Sequence, residues 1–560
     1  MFKKTDPNPQ LDIFTAPLMQ LGSRASKKYS DPNAWYNQFY SLVTTKIDEE
    51  IFKPLFPEGK KSGRPNASIR ILVAMSALKE GFGCSDEDLF EKCEFDLLTR
   101  KALGMELLTD VTPSIDTYYL FRRRICEYQE RTGIDLMQLC FEQLAGNQVR
   151  LLKISGKCVR MDSKLIGSNI ARQSRYELIH TTLVKFLKTC TLSDLSPEQE
   201  ERAKEYLKED SSKTVYRSDS DTLQSNLARI GNFIMEMLAT FPATSPAHDL
   251  LQRLFDEQYA VKDGKAVLRD KKEVKADSLQ NPNDPDATYR AKNDQKVQGY
   301  VTNITETVEE GKPNIITSVQ VETAVFADCH FLQEAVENSE RVTDSTIEDL
   351  YADGAYQSPD NREFAKNHNA MQLKTGKMQG GCRWELIPHD EDGLTVREIA
   401  TGNTYEAVKA VTKQGSRKRW RIPWNNKTGW RYFEDKDIKA YQLRKQIESL
   451  PLEEQHKRNN VEAAMFQYSF HTRKGKTRYR GLLKHRMHAY SRCMWMNLRR
   501  MVIFQISTFQ RSIFALFGPI REAFGSFKAI SRKIFTSGAD CYVSLRMTTL
   551  ARLDSKYVPF

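Results

Sequence analysis

The sequence predicts a mixed α/β protein: a helical N-terminal domain, then an α/β core that carries one helical and one strand-rich insertion. Three observations predict it. Apolar residues recur at helical spacing through much of residues 30–150. Strand-like alternation then appears at Val159 and Met161, in a hairpin formed by residues 297–305 and 315–323, and again in the run that ends at Asp353. Two long segments of different character interrupt those strands. At 560 residues the chain holds material for two or three domains. The expected boundaries are 1–150 for the helical domain, 151–500 for the core with insertions at about 170–295 and 375–450, and 501–560 for a helical C-terminal tail.

Residues 68–80 place Ile69, Leu72, Val73 and Ala77 on one helical stripe, and Gly81-Phe82-Gly83 stops it. Ser85 and Asp88 form a capping-box pattern for the next helix, with Asp standing for Glu. A third helical pattern runs over 114–127 and includes Arg122-Arg123-Arg124. Two short helices around a glycine turn can form a helix-turn-helix DNA reader or a plain packing domain, and the pattern alone leaves both open. Residues 170–260 are helical and highly charged, with Ser196-Pro197-Glu198-Gln199 as a capped start. Residues 262–295 are polar and turn-rich. The 297–323 hairpin turns through Glu309-Glu310-Gly311-Lys312-Pro313, and 331–338 is helical. A strand from Thr346 ends at Asp353. Gly354 breaks it, and Ser358 with Pro359 starts another helix. In the second insertion, residues 394–399 and 405–411 alternate like strands.

The chain is 40% hydrophobic and 28% charged, with a formal net charge of +11. That balance suits a globular protein with a polyanionic partner. The ten cysteines form no Cys-x-x-Cys pair and no ligand spacing with the nine histidines, which argues against structural zinc and suits a reducing compartment. The N-terminus has no apolar core of signal-peptide length. The apolar stretch 501–517 is broken by Gln505, Gln510 and Arg511, so no membrane span is expected. No Walker-type glycine loop appears.

A carboxylate at the C-terminal end of a strand sits at the open edge of an α/β sheet, where sites are often built. Asp353 is such a residue. Asp162, in Val159-Arg160-Met161-Asp162, points away from the apolar residues of its strand. Glu462 lies on a helical pattern with Val461, Met465 and Tyr468 on one stripe and Arg458 one turn earlier. Asp349 is a rival for Asp353, and Glu453 or Glu454 for Glu462. Three carboxylates on two strands and a helix can hold two Mg²⁺ ions, which prefer oxygen ligands. Two such ions about 3.5–4 Å apart stabilise both the attacking and the leaving oxygen of a phosphoryl transfer.

Met161-Asp162-Ser163, Tyr351-Ala352-Asp353-Gly354-Ala355-Tyr356 and Arg458-x-x-x-Glu462 together resemble the catalytic motifs of bacterial insertion-sequence transposases of the DDE type. The segment from Gly63-Arg64-Pro65 to Phe121-Arg122 resembles their helical N-terminal domain. The resemblance implies a ribonuclease H-like core, with Asp162, Asp353 and Glu462 as catalytic and metal-binding residues for two Mg²⁺ ions, for which Mn²⁺ can substitute. It implies cleavage of double-stranded DNA at element ends, then attack of the freed 3′-hydroxyl on target DNA. It further implies a homodimer or higher assembly on DNA and a cytoplasmic, nucleoid-associated location. A metal-dependent nuclease that cuts without joining, and a non-catalytic DNA-binding derivative, are the alternatives. The chain departs from the family pattern on the last helix. Many members carry a Tyr three residues before the Arg and a Lys seven residues after the Glu, where this chain has Gln455 and Ser469.

Two basic segments are candidate DNA contacts. One is Lys413–Arg421 with Arg417, Lys418 and Arg419, close to Trp424 and Trp430. There cations can pair phosphates and tryptophans can stack on unpaired bases, or the segment can be a solvated loop over a small aromatic core. The other is residues 471–500, with ten Lys or Arg and no acid, including Arg473, Lys474, Arg478, Arg480 and Lys484. Arg458 is the candidate phosphate clamp beside Glu462.

Overall fold

The computed structural model describes residues 2, 4, 21–56, 66–242, 245–292, 295–375, 382–389, 393–410, 419–424, 429–449 and 451–525. The expected Gly63-Arg64-Pro65 motif, Arg417, Lys418 and the tail beyond 525 lie outside these residues. The protein is mixed α/β and divides into two units. The first comprises Met1–Gly156, Ser163–Ser345 and Met465–Phe560; the second comprises Lys157–Asp162 and Thr346–Ala464.

The first unit begins with helices α1 (Ser23–Tyr29), α2 (Trp35–Leu42), α3 (Ile69–Phe82), α4 (Asp86–Phe95), α5 (Leu97–Leu103), α6 (Ile115–Thr132) and α7 (Leu136–Leu152). Their ends follow the sequence signals. Ser68 caps α3 by accepting from Ile71 N. Gly83 ends α3 at φ 65°, a conformation that costs glycine nothing. Ser85 and Asp88 form the expected capping box on α4. α3 is buried nearly all round, not only along the expected stripe, because Ala74, Met75 and Leu78 are covered too. Gly81 is what permits this: a Cβ there would meet the Trp495 ring at 2.3 Å.

The helical insertion holds α8 (Arg175–Leu187), α9 (Pro197–Lys208), α10 (Ser211–Arg217), α11 (Ser220–Thr240) and α12 (Pro246–Gln258). Ser196 caps α9 as expected. Leu183, Phe233, Ile234, Met237, Leu251 and Leu254 form its core. A short hairpin, β2 (Tyr259–Lys262) and β3 (Lys265–Leu268), closes the insertion; its polar, turn-rich sequence concealed it.

Strand β1 (Cys158–Gly167) gives its first half to the second unit and its second half to the first. In the first unit β5 (Gln295–Thr307) pairs antiparallel with β4 (Thr288–Lys292) along one half and with β6 (Ile316–Thr323) along the other. Helix α13 (Leu332–Thr343) follows. In the second unit β1, β7 (Asp349–Ala352) and β8 (Gln372–Thr375) run parallel in that order, with α14 (Pro359–Asn367) between the last two. The strand before Asp353 is shorter than the expected run from Thr346.

The strand-rich insertion is a five-stranded antiparallel sheet: β9 (Trp384–His389), β10 (Gly393–Glu398), β11 (Thr404–Lys409), β12 (Arg419–Trp424) and β13 (Gly429–Glu434). α15 (Asp435–Ser449) follows it, and Ile438 joins Trp384, Val396, Trp420 and Phe433 in its core. Then come α16 (Leu452–Ser469) and the long α17 (Leu482–Gly525). Among the described residues no helix is long and apolar enough to cross a membrane.

Candidate functional site

Strand period two places alternate side chains on opposite faces. In β1, Val159 and Met161 are fully buried, while Asp162 is only partly covered. Arg160 is also buried, so the strand is covered on both faces before it reaches Asp162. In β7, Leu350, Tyr351 and Ala352 are buried, and Asp353, directly after the strand, is partly exposed. The parallel register pairs Arg160 with Tyr351. Asp162 and Asp353 each stand two residues further on, and Asp353 keeps an extended backbone at φ −71° and ψ 159°. Asp162 lies within β1 and Asp353 directly follows the end of β7, each two residues past the last paired residues of the two strands.

The turn after Asp353 is tied down. The Asp353 carboxylate accepts from Gly354 N at 2.6 Å. Asn361 Nδ2 donates to Tyr356 O at 2.8 Å, and Gln357 Nε2 donates to Leu373 O at 3.1 Å. Ser358 caps α14 as expected, with Pro359 at its first position. Asp349 lies at the opposite end of β7, opposite Cys158, in an ion pair with Lys374 at 2.9 Å.

Glu462 is exposed on α16. The expected stripe is present: Val461, Met465 and Tyr468 are buried, and Ala464 with them. The side chains of Arg458, Glu453, Glu454 and Gln455 lie outside the described residues. Among the described residues no group of three His, Cys, Asp or Glu gathers closely enough to hold a metal ion. Two of the three expected carboxylates thus follow the ends of a paired stretch of parallel strands, and the third is exposed on its helix.

Three polar contacts hold the last turns of α16 within the first unit. Tyr468 Oη and Thr302 Oγ1 share a buried hydrogen bond of 3.1 Å. Arg492 donates to Gln467 O. Lys164 Nζ donates to Ser469 Oγ at 2.7 Å and to Met465 O at 3.4 Å. Lys164 escaped the sequence reading. The signal was its place two residues past Asp162, on the same face of the strand.

The basic run 471–500 divides in two. Arg486 pairs with Glu322 and donates to Val321 O. Arg492 is buried and donates to Glu80 O. Arg500 pairs at 2.6 Å with Glu306, which is fully buried. These three arginines hold the fold. Arg473, Lys474, Arg478, Arg480 and Lys484 are exposed. Arg473 and Lys476 close a tight turn whose corner is Lys474 at φ 52° and Gly475 at φ 72°. Gly475 O accepts from Gly167 N at 2.8 Å, so the turn is fixed to the end of β1. Arg478 donates to Gly83 O and Arg480 to Asn169 O.

In the strand-rich insertion, Trp420 belongs to the core, whereas Trp430 is exposed beneath Arg421 at 4.2 Å. Arg419 lies over the Tyr432 ring at 4.1 Å. The segment is both a covered aromatic core and an exposed cation–aromatic face.

The helices around Gly83 are packed. α3 has no open face, and α4 carries Asp86, Glu87, Asp88, Glu91 and Glu94 against a single basic residue, Lys92. Arg122 lies over the Tyr118 and Tyr479 rings at 5.4 and 5.2 Å, inside the protein. A polar cluster missed in the sequence is buried here. Glu80 accepts from His488 Nδ1 at 2.7 Å and from Tyr479 Oη. Burial alone would raise the Glu80 carboxyl, but the charge and hydrogen bond of His488, with Lys79 and Tyr479, hold it down at about 2.

Residues 27–124 match a family model described as a transposase domain, DUF772. That span contains the described part of the N-terminal segment that carries the sequence resemblance. No curated protein and no solved structure matches the chain.

Proposed function

We propose that the chain is a DNA transposase of the DDE type from a bacterial insertion sequence, and that Asp162, Asp353 and Glu462 are its catalytic carboxylates. The observation that carries this reading is the register of β1 against β7, which ends at Arg160 and Tyr351, each two residues before one of the two aspartates. Two further observations support it. The chain order of β1, the β5–β6 hairpin, α13 and β7 fits the order expected for a ribonuclease H-like core with a helical and a strand-rich insertion. The similarity of residues 27–124 to a transposase domain points the same way.

Adjacent aspartates at a strand edge fit a hard divalent cation. Mg²⁺ is bound by one or two carboxylates, with water and substrate phosphate completing its shell. Asp162 and Asp353 would hold it, with Glu462 as the third oxygen donor. Such ions stabilise the attacking and leaving oxygens of an in-line displacement. The chain's own residues do the positioning. Arg458, one turn before Glu462 in the sequence, would pair its guanidinium with a phosphate there. The exposed Arg473, Lys474, Arg478, Arg480 and Lys484, with Arg417, Lys418 and Arg419 of the insertion, supply backbone contacts that carry affinity without sequence information. Cutting an element from its flanks needs two ends held together, so the active form is a dimer or larger on DNA.

The test is strand transfer. Full-length protein is incubated with Mg²⁺, a supercoiled plasmid and a labelled duplex carrying an inverted repeat that brackets the gene. The expected result is label covalently joined to plasmid. Cutting without joining would leave a nuclease, and binding without cutting a non-catalytic DNA-binding protein.

A further inference from the structure

We propose that Arg172 and Lys296, from outside the basic run, complete one rigid platform for the phosphate backbone of duplex DNA, together with Arg473, Lys474, Arg478 and Arg480. The choice of DNA as the polyanion rests on the transposase reading. Three segments distant in sequence meet here, all within the first unit: residues 167–172 at the end of β1, residues 295–298 at the start of β5, and residues 473–480. Gly167 N donates to Gly475 O at 2.8 Å, and Gly167 O accepts from Thr477 N at 3.0 Å. Asn169 N donates to Tyr479 O and Ser168 N to Gln298 O, each at 3.0 Å. Two glycines allow the approach. A Cβ at Gly167 would meet Lys476 Cγ at 2.8 Å, and one at Gly299 would meet Ile166 O at 2.4 Å.

Basic side chains tighten the same junction. Lys476 Nζ donates to Ile170 O at 2.6 Å, Arg480 Nε to Asn169 O at 2.7 Å, and Arg172 to Lys296 O. Arg172, Lys296, Arg473, Lys474, Arg478 and Arg480 are all exposed, and the three segments contain no acidic residue. Asp286, which follows in the first unit, is engaged by Leu482 N at 3.2 Å. Like charges gathered at one surface repel one another, and a polyanion relieves that repulsion. A guanidinium with one N–H fixed to a carbonyl keeps its other donors for a phosphate. Because Arg172 and Arg480 are already held, less side-chain freedom is lost when a phosphate binds. Charges spread over three stitched segments suit the successive phosphates of a backbone better than one small anion.

The test is DNA binding by the full chain in Ca²⁺, over a salt series, on end and random duplexes. Each phosphate contact adds about one unit to the slope of log affinity against log salt. Arg172→Gln with Lys296→Gln should therefore flatten the slope by about two units and weaken both duplexes by the same factor. Lys204→Gln with Lys213→Gln removes the same charge from exposed positions of the helical insertion and should leave the slope unchanged. Arg172→Lys with Lys296→Arg keeps the charges and should keep the slope. Thermal unfolding controls for folding. If the paired glutamines unfold the protein, Lys296→Gln alone leaves the Lys296 carbonyl to Arg172 and should flatten the slope by about one unit. A folded glutamine variant with an unaltered slope overturns the proposal. So does an equal loss in the Lys204 and Lys213 pair, which would make net charge the cause. Unsubstituted protein that binds duplex but joins no ends would sink the transposase reading, while the slope still decides the platform.

Discussion

Asp162 and Asp353 each follow two residues after Arg160 and Tyr351, the last register pair of the adjacent parallel strands β1 and β7. Asp349 is at the other end of the same strand and is already paired with Lys374 at 2.9 Å. Asp162→Asn and Asp353→Asn should therefore each lower Mg²⁺-dependent cleavage by more than about 100-fold, the upper range for residues that merely support metal ligands. Asp349→Asn should leave the rate unchanged and cost under about 1 kcal/mol, as partly exposed ion pairs do. Rates on one labelled duplex check all three. A dead Asp349→Asn enzyme with an active Asp353→Asn enzyme would reverse the assignment.

The basic run should separate into structural and DNA-facing residues. Arg500→Met leaves Glu306 buried without its cation at 2.6 Å. It should cost about 3–5 kcal/mol in urea unfolding. Lys474→Asn, which tolerates the positive φ of 52° at that corner, and Lys484→Ala should leave stability alone. Each should instead flatten the salt dependence of DNA binding by about one unit of slope. Equal stability losses across all three would mean that the run has no free DNA-facing side.

The hydrogen bond between Tyr468 and Thr302 sets the end of α16 on β5 at 3.1 Å. Thr302→Val strands a buried hydroxyl and should cost about 1–3 kcal/mol. Adding Tyr468→Phe removes the stranded group, so the double variant should be more stable than Thr302→Val alone. A double-mutant cycle by chemical unfolding measures the coupling. Additive losses would show that the two hydroxyls do not depend on each other.

Glu80 links acid stability to the α3–α17 contact. Its folded carboxyl is held at about 2, below the ordinary 4.5, chiefly against burial and by His488. A group depressed in the folded state adds stability above its unfolded value and loses it as pH falls toward its folded value. The stability gap between the unsubstituted protein and Glu80→Gln should hold above about pH 4.5 and close between about pH 4.5 and 2. Unfolding at a series of pH values tests this, and a gap that widens with acid would contradict it.

Local signals in the sequence were legible because they act over a few residues. The caps at Ser85, Ser196 and Ser358 sit where side chain and backbone are neighbours, and all three form. The stripe of Val461, Met465 and Tyr468 was legible for the same reason. The register of β1 against β7, beyond which Asp162 and Asp353 each stand two residues on, was not legible, since pairing across nearly two hundred residues leaves no local trace. Charge runs were the least legible. Whether Arg500 meets solvent or Glu306, and whether Arg122 meets DNA or Tyr479, depends on elements hundreds of residues away. Glycine 81 looked like a helix stop and is instead the gap that admits Trp495.

The central claim is that Asp162 and Asp353 bind the same catalytic divalent cations. A thiolate is a poor ligand for hard Mg²⁺ and a better one for softer transition metals. Asp162→Cys and Asp353→Cys should each be inactive with Mg²⁺ and regain cleavage of the labelled end duplex with Mn²⁺. Cysteine variants that cut at the unsubstituted rate in Mg²⁺, or that stay equally inactive with either metal while still folding and binding DNA, would contradict it.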